Sequence, residues 1–154
     1  MSTSLAGPTQ DGRYGTFPLS EAARTTAGVL LLTLLAVEVG GVSLLGVVRG
    51  AVPRTAFQRA FERAGHAHAG VRVTLSLIVQ VLADATALGQ PWAQVARSGI
   101  PLAAILMPAG FFLGAAGRGR EHPRRALFLL IPAGGVALGI GAATLGVGLL
   151  VVPA

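Results

Sequence analysis

The side chains with the most chemical potential lie together in one apolar stretch, between positions 66 and 84. This stretch carries His66, His68, Arg72, Gln80 and Asp84. An ionisable group inside a bilayer costs about 3 kcal/mol on insertion scales, so such groups normally face the interior of a helix bundle and mark a function. The stretch is therefore the first candidate for a binding or catalytic site.

Helical geometry separates the two histidines of this stretch. At about 100° per residue, His66 and His68 point roughly 200° away from each other. His66 shares its stripe with Gly70 and Asp84, whereas His68 and Arg72 lie on the opposite side. The two rings are not expected to bind one metal ion, unlike a pair of histidines four residues apart.

The functional hypothesis for the histidines is ligation of haem b. One imidazole, from His68 or His66, would be an axial ligand inside the bundle, where Gly70 leaves room for a flat macrocycle. The alternative is that both rings lie at the polar membrane boundary and bond to water, lipid phosphate or Glu62. Met107 is either a second axial ligand or a packing residue. The sequence leaves these alternatives open.

Glu38 is the one acidic residue inside the first apolar segment. If the membrane boundary lies near Arg49 and Ala64, Glu38 and Arg72 are both about 12 to 16 Å deep at 1.5 Å per residue. Pairing would let both groups stay charged in the bilayer. Depth therefore predicts a contact between Glu38 and Arg72, with Glu38 facing the interior.

Composition sets limits on the class of protein. The chain of 154 residues is 53% hydrophobic with a mean hydropathy of +0.69, well above a soluble domain. All 12 basic side chains are arginines beside apolar runs, so the net charge of +6 favours anionic lipid over nucleic acid. The absence of cysteine excludes disulfides and thiolate metal sites. Motifs of hydrolases, P-loop enzymes and zinc proteases are also missing.

These features predict an all-α, integral membrane four-helix bundle. Residues 1–25 are expected to form a flexible polar tail, and residues 26–154 a single transmembrane domain. Each span needs about 20 apolar residues, and the predicted spans are 27–48, 66–88, 100–117 and 126–152. Residues 55–64 have helical amphipathic spacing and are expected to extend span two. Pro108 and Pro132 predict kinks.

Arginine placement predicts the orientation of the spans. The loops after spans one and three carry eight arginines, against three in the tail and the middle loop. By the positive-inside rule, both arginine-rich loops are cytoplasmic and both termini lie outside the cell membrane.

Small residues in spans three and four predict close helix contacts. Gly110 with Gly114, and Gly135 with Gly139, form GxxxG pairs, and Gly141 continues the pattern. Such pairs allow backbones to approach within one chain or between chains.

Residues 63–70 carry a family resemblance. Their sequence is Arg-Ala-Gly-His-Ala-His-Ala-Gly. Positions 67–70 resemble the Arg-Ala-His-x-Gly stretch of the styrene oxide isomerases, four-span bacterial membrane enzymes whose histidine ligates haem b. The resemblance implies that His68 holds the iron, which acts as a Lewis acid that opens an epoxide to an aldehyde. It also implies a trimer similar to the membrane glutathione transferases.

This sequence departs from the family at two positions. The family's asparagine six positions after the ligand is Thr74 here, and the family's tyrosine in span three has no counterpart in this chain.

Two functions follow from these observations. The first is an integral membrane haem-binding enzyme, an isomerase for a small lipophilic substrate such as an epoxide, with Glu38, Arg72 and Thr74 as catalytic candidates around a site formed by His68, His66 and Gly70. The second is a non-enzymatic membrane protein, either an accessory subunit or a small transporter with a polar path. Spans one and two do not repeat in spans three and four, which disfavours a transporter. The expected partners are the bilayer and further copies of the chain.

Overall fold

A computed structural model describes residues 19–151, and the parts of the predicted tail and of span four outside this range lie beyond the described residues. The chain forms α1 Glu21–Val48, α2 Ala56–Asp84, α3 Trp92–Ala115, the short α4 Arg125–Phe128 and α5 Leu130–Val151. Four helical stretches are long and apolar enough to cross a membrane, with α4 and α5 counted as one. The prediction of an all-helical chain with four such spans is confirmed.

Helices α1 and α2 begin earlier than the predicted spans, and each has an N-terminal cap. Helix α1 begins at Glu21 rather than at 27, since the Ser20 hydroxyl accepts a hydrogen bond from the Ala23 N–H at 3.2 Å. Helix α2 begins with a capping box in which Thr55 and Gln58 satisfy each other's backbone N–H groups. The predicted extension of span two is therefore present. Helix α3 begins at Trp92 rather than at 100, without a side-chain cap.

The fourth span is interrupted near its start by a proline. Residue Leu129 separates α4 from α5. Pro132 lacks the N–H that would bond to the Phe128 carbonyl, so the helix opens one turn before the proline. Helix α3 runs through Pro101 and Pro108 as one helix.

The helices pack in chain order. Helix α1 packs against α2, α2 against α3, and α3 against α5. The largest buried apolar cluster joins α2, α3 and α5 and contains Val79, Ala83, Ala96, Ile100 and Leu145. No residue of the most apolar 18-residue window of α1 is buried. Helix α1 is therefore peripheral to the core.

Glycines form the seam between α3 and α5. A Cβ on Gly99 would lie 2.7 Å from the Ala137 carbonyl oxygen and the Gly141 Cα, so the two backbones are in direct contact. A Cβ on Gly110 would lie 2.7 Å from the side chain of Ile131. By contrast, Cβ atoms on Gly135 and Gly139 would meet nothing within 4 Å. The seam thus uses Gly141 but not the predicted Gly135 and Gly139 pair.

Both arginine-rich loops lie at the same end of the bundle, as a four-helix hairpin requires. The Gln58 side-chain amide donates to the carbonyls of Ala115 at 3.0 Å and Gly117 at 2.6 Å, and the Thr55 hydroxyl donates to the Arg120 carbonyl. Gln58 is 2% exposed. This end is called the arginine end below, and the opposite end, around residue 84, the Asp84 end.

Candidate functional site

His68 and Arg72 lie together between α2 and α3. The Arg72 Nη1 is 3.0 Å from the His68 Nδ1, one helical turn away. The His68 ring packs against Phe111 with 5.0 Å between ring centroids. The Arg72 Nε is buried and has no hydrogen-bond partner among the described residues. These two residues form the polar group nearest the middle of α2.

The hydrogen bond to Arg72 fixes the state of the His68 ring. A guanidinium only donates, so the His68 Nδ1 must accept, and the ring is neutral with its proton on Nε2. In that state neither nitrogen offers a lone pair to a metal. Ligation of haem iron by His68 would require Arg72 to move away and the proton to be lost or moved. The observed arrangement does not fit haem as a resident group.

His66 and Gly70 lie on the other side of α2, against α1. A Cβ on Gly41 would lie 3.2 Å from the His66 Cε1 and 3.3 Å from its Nε2, so the imidazole rests on the glycine backbone of α1. A Cβ on Gly70 would lie 3.9 Å from the Val37 side chain. The structure therefore separates Gly70 from His68, and the glycine leaves no space beside the preferred ligand.

Glu38 and Thr74 are both exposed. Thr74 donates to the Gly70 carbonyl of its own helix at 3.0 Å, a local bond typical of a hydroxyl on an apolar helix. Glu38 forms no ion pair with any described residue, and Arg72 is occupied with His68. The predicted contact between Glu38 and Arg72 is absent within the chain, and Glu38 is not an interior group.

Nothing else among residues 19–151 completes a metal site. These residues contain no group of three or more His, Asp or Glu side chains placed to hold an ion. Met107 is buried against Gly134 in the seam between α3 and α5. It is a packing residue in this fold.

A second polar cluster at the Asp84 end joins three helices. Asp84, the last residue of α2, accepts a hydrogen bond from the Ser20 N–H at 2.8 Å and pairs with the Arg97 guanidinium. The Gln80 side chain, 1% exposed, donates to the Arg97 carbonyl at 3.1 Å. Asp84 thus ties the start of α1 and the second turn of α3 to the end of α2.

Sequence reasoning placed Gln80 and Asp84 in one polar stretch but missed Arg97 as their partner. The available signal was the short connection between α2 and α3. Seven residues join two antiparallel helices, which brings opposite charges on either side of the turn into reach. The role of Ser20 was hidden because it lies within the region predicted as tail.

A cleft of about 260 Å³ opens beside this cluster, between α1, α2 and α3. Its polar lining includes Gln80, Gln94, Arg97 and Ser98, and its apolar lining includes Leu102 and Ile105. The Arg97 Nη1 is buried without a hydrogen-bond partner among residues 19–151. Of the clefts in the described part of the chain, this one combines a buried cation with an apolar wall.

The fold and these clusters define a small all-helical protein with four potential membrane spans. Comparison with protein-family models, with curated proteins and with solved structures found no match to this chain.

Proposed function

We propose that this chain is a multi-pass integral membrane protein that works as a subunit of a homo-oligomer. The observation that supports this proposal is the exposure of Glu38 in α1, whose most apolar 18-residue window has a mean hydropathy of 2.2 and no buried residue. Both arginine-rich loops are proposed to be cytoplasmic and both termini external, since eight arginines lie at the arginine end.

Placing the Glu38 carboxyl group in lipid costs free energy, whereas a protein–protein interface with a polar partner avoids that cost. Leu31, Leu35 and Val42 surround it on one stripe of α1 and are 55%, 64% and 72% exposed. A carboxyl group in such a stripe costs about 3 kcal/mol in a bilayer unless a partner satisfies it. Helix α1 also lacks a second neighbour, because it packs against α2 alone. A protein surface that covers this stripe would give Glu38 a partner and α1 a second neighbour.

The occupant that fits is a second copy of the chain. Arg72 lies at the depth of Glu38, since the two residues are at similar distances from the arginine end. Its guanidinium retains N–H groups beyond the Nη1 that contacts His68. Pairing the Glu38 of one copy with the Arg72 of the next makes a head-to-tail contact, which forms a ring when the rotation between copies closes.

The test is the coupling of Glu38 and Arg72 across copies. Glu38→Gln and Arg72→Gln should each raise the concentration at which the oligomer dissociates in mild detergent by on the order of tenfold, about 1.4 kcal/mol. Exchange of the charges, Glu38→Arg with Arg72→Glu, should recover much of the loss. Light scattering after size exclusion measures the mass at each dilution.

Glu21→Gln is the matched control, because Glu21 is an exposed carboxylate at the end of the same helix. It should leave the dissociation unchanged. A wild-type chain that is monomeric at every concentration contradicts the proposal, and so does a Glu38→Gln variant that associates like wild type. Extraction of the protein from membranes by alkaline carbonate would separately overturn membrane insertion.

The haem-dependent isomerase is the second candidate, supported by the position of the His68 ring between two helices and by the resemblance of residues 67–70. Purified protein expressed with ample haem decides between the candidates. We expect no Soret band, because Arg72 holds the ring nitrogen that would have to be freed. The enzyme would be the better account if a Soret band appeared and His68→Ala abolished it. The variants of the other two histidines, His66→Ala and His122→Ala, would then have to keep the band.

A further inference from the structure

We propose that the cleft at the Asp84 end is a binding site for a glycerolipid, recognised through the ester carbonyls that join its acyl chains to glycerol. The site is separate from the interface proposed for Glu38. It rests on the proposed membrane insertion and on no other part of the proposed function.

Hydrogen-bond donors and acceptors both line the cleft, and one buried donor lacks a partner among the described residues. Arg97 brings a buried Nη1 that has no partner among the described residues. Gln94 and Ser98 lie on the same helix and bond to each other at 2.9 Å. Thr26 of α1 adds a hydroxyl on the facing side. A ligand that satisfies the Arg97 Nη1 must therefore offer an acceptor atom.

The charge of the cleft argues against a phosphate as the recognised group. Asp84 pairs with Arg97, and the two side chains are only 11% and 16% exposed. The Asp84 carboxylate thus already neutralises the Arg97 guanidinium, and it would repel a second anion. Neutral carbonyl oxygens satisfy the remaining donor without that repulsion.

Depth points to the same chemical group. Trp92 begins α3 and is exposed, as an aromatic anchor at a membrane interface would be. Arg97 follows five residues later, about 7.5 Å along the helix. Leu102 and Ile105, 46% and 67% exposed, continue the cleft towards the middle of the span. A glycerolipid has this order, with ester carbonyls just below the head group and acyl chains beyond them.

The experiment compares ester and ether lipids on the intact protein. Native mass spectrometry of protein freed of co-purified lipid measures binding of diacyl phosphatidylcholine, of its diether analogue and of diacyl phosphatidylglycerol. The diether lacks both carbonyls and should bind on the order of fivefold more weakly, the effect of about one hydrogen bond. The two diacyl lipids should bind equally, because the head-group charge is not recognised.

Variants that fill the cleft locate the site. Ser98→Phe and Ala22→Leu add volume from α3 and α1 without removing the pair between Asp84 and Arg97, and each should reduce diacyl lipid binding at least as much as the ether substitution does. Ala143→Leu is the control, because Ala143 lines a different, apolar cavity beside Trp92. Circular dichroism confirms that each variant is folded.

Three results would overturn the proposal. Equal binding of ester and ether lipids removes the carbonyls as the recognised group. A strong preference for phosphatidylglycerol assigns the cleft to an anionic head group instead. Folded Ser98→Phe and Ala22→Leu variants that both bind lipid like wild type place the lipid elsewhere. None of these results depends on whether the chain forms oligomers.

Discussion

The contact between α3 and α5 differs sharply from the contact between α1 and α2. In the first, backbone meets backbone, and Gly99 and Gly141 leave no space for a side chain. In the second, α1 meets α2 through the movable imidazole of His66, which rests on Gly41. Helix α1 also leaves most of its surface uncovered.

The difference shows that α2, α3 and α5 are joined by one buried apolar cluster, and that α1 packs outside it. Lipid provides no hydrophobic drive for helix association, so packing quality and polar bonds decide which contacts are strong. The α3 and α5 seam has the close packing, and α1 is held mainly by Asp84 at one end and His66 near the other. Three predictions test this contrast.

Filling the glycine seam should have the largest effect. Gly99→Leu places a side chain where the Ala137 carbonyl and the Gly141 backbone already lie, and neither can move without separating the helices. We expect a loss of about 3 kcal/mol in the free energy of unfolding, the upper part of the range for overpacking. Thermal unfolding in detergent, followed by circular dichroism, measures it.

Gly135→Leu is the matched control for the seam. A Cβ on Gly135 would meet nothing within 4 Å, so the larger side chain costs no packing and gains helix propensity. Its melting temperature should equal or exceed that of wild type. If both variants lose the same stability, the seam is not the strong contact of this bundle.

Removing the carboxylate at the Asp84 end should have the next largest effect. Asp84→Asn weakens the tie of Arg97 and of the Ser20 N–H, and it leaves a mostly buried guanidinium without its counter-charge. We expect a loss of about 2 to 3 kcal/mol, near the range for breaking a buried pair. Glu62→Gln, which breaks the more exposed pair with Arg54, should cost about 1 kcal/mol or less. Equal melting temperatures for the two variants would contradict this ranking.

Much of the fold could be predicted because it follows from local patterns. Apolar length fixes the spans, and arginine spacing fixes which loops share an end of the bundle. The seam was predicted only in part, since GxxxG spacing cannot tell which glycine faces a neighbour. Gly134 and Gly141, seven residues apart, face α3, and Gly148 faces Leu88 in the connection between α2 and α3. A Cβ on Gly135 or Gly139 would meet nothing within 4 Å.

The candidate site was harder to predict, because it depends on which helices are neighbours. The opposite faces of His66 and His68 follow from helix geometry, and the structure places the two rings against different helices. Depth alone suggested the contact between Glu38 and Arg72. Depth does not specify the direction in which α1 turns its carboxylate, and that direction is set by the contact of Gly40 and Gly41 with His66.

The smallest predicted effect concerns the contact between α1 and α2. Gly41→Ala brings a methyl group to 3.2 Å from the His66 ring, which is the free end of a flexible side chain and can shift. The gain in helix propensity, about 1 kcal/mol, should be largely cancelled by this displacement. Gly28→Ala, where nothing lies within 4 Å, should show the full gain in the free energy of unfolding.

In the His66→Ala background, Gly41→Ala should give the full gain in the free energy of unfolding as well, since the imidazole ring is absent. A double-mutant cycle in detergent measures this coupling, which we expect to be about 0.5 kcal/mol. A Gly41→Ala variant as destabilised as Gly99→Leu would show that α1 is fixed as rigidly as α5, and the contrast between the two contacts would be wrong.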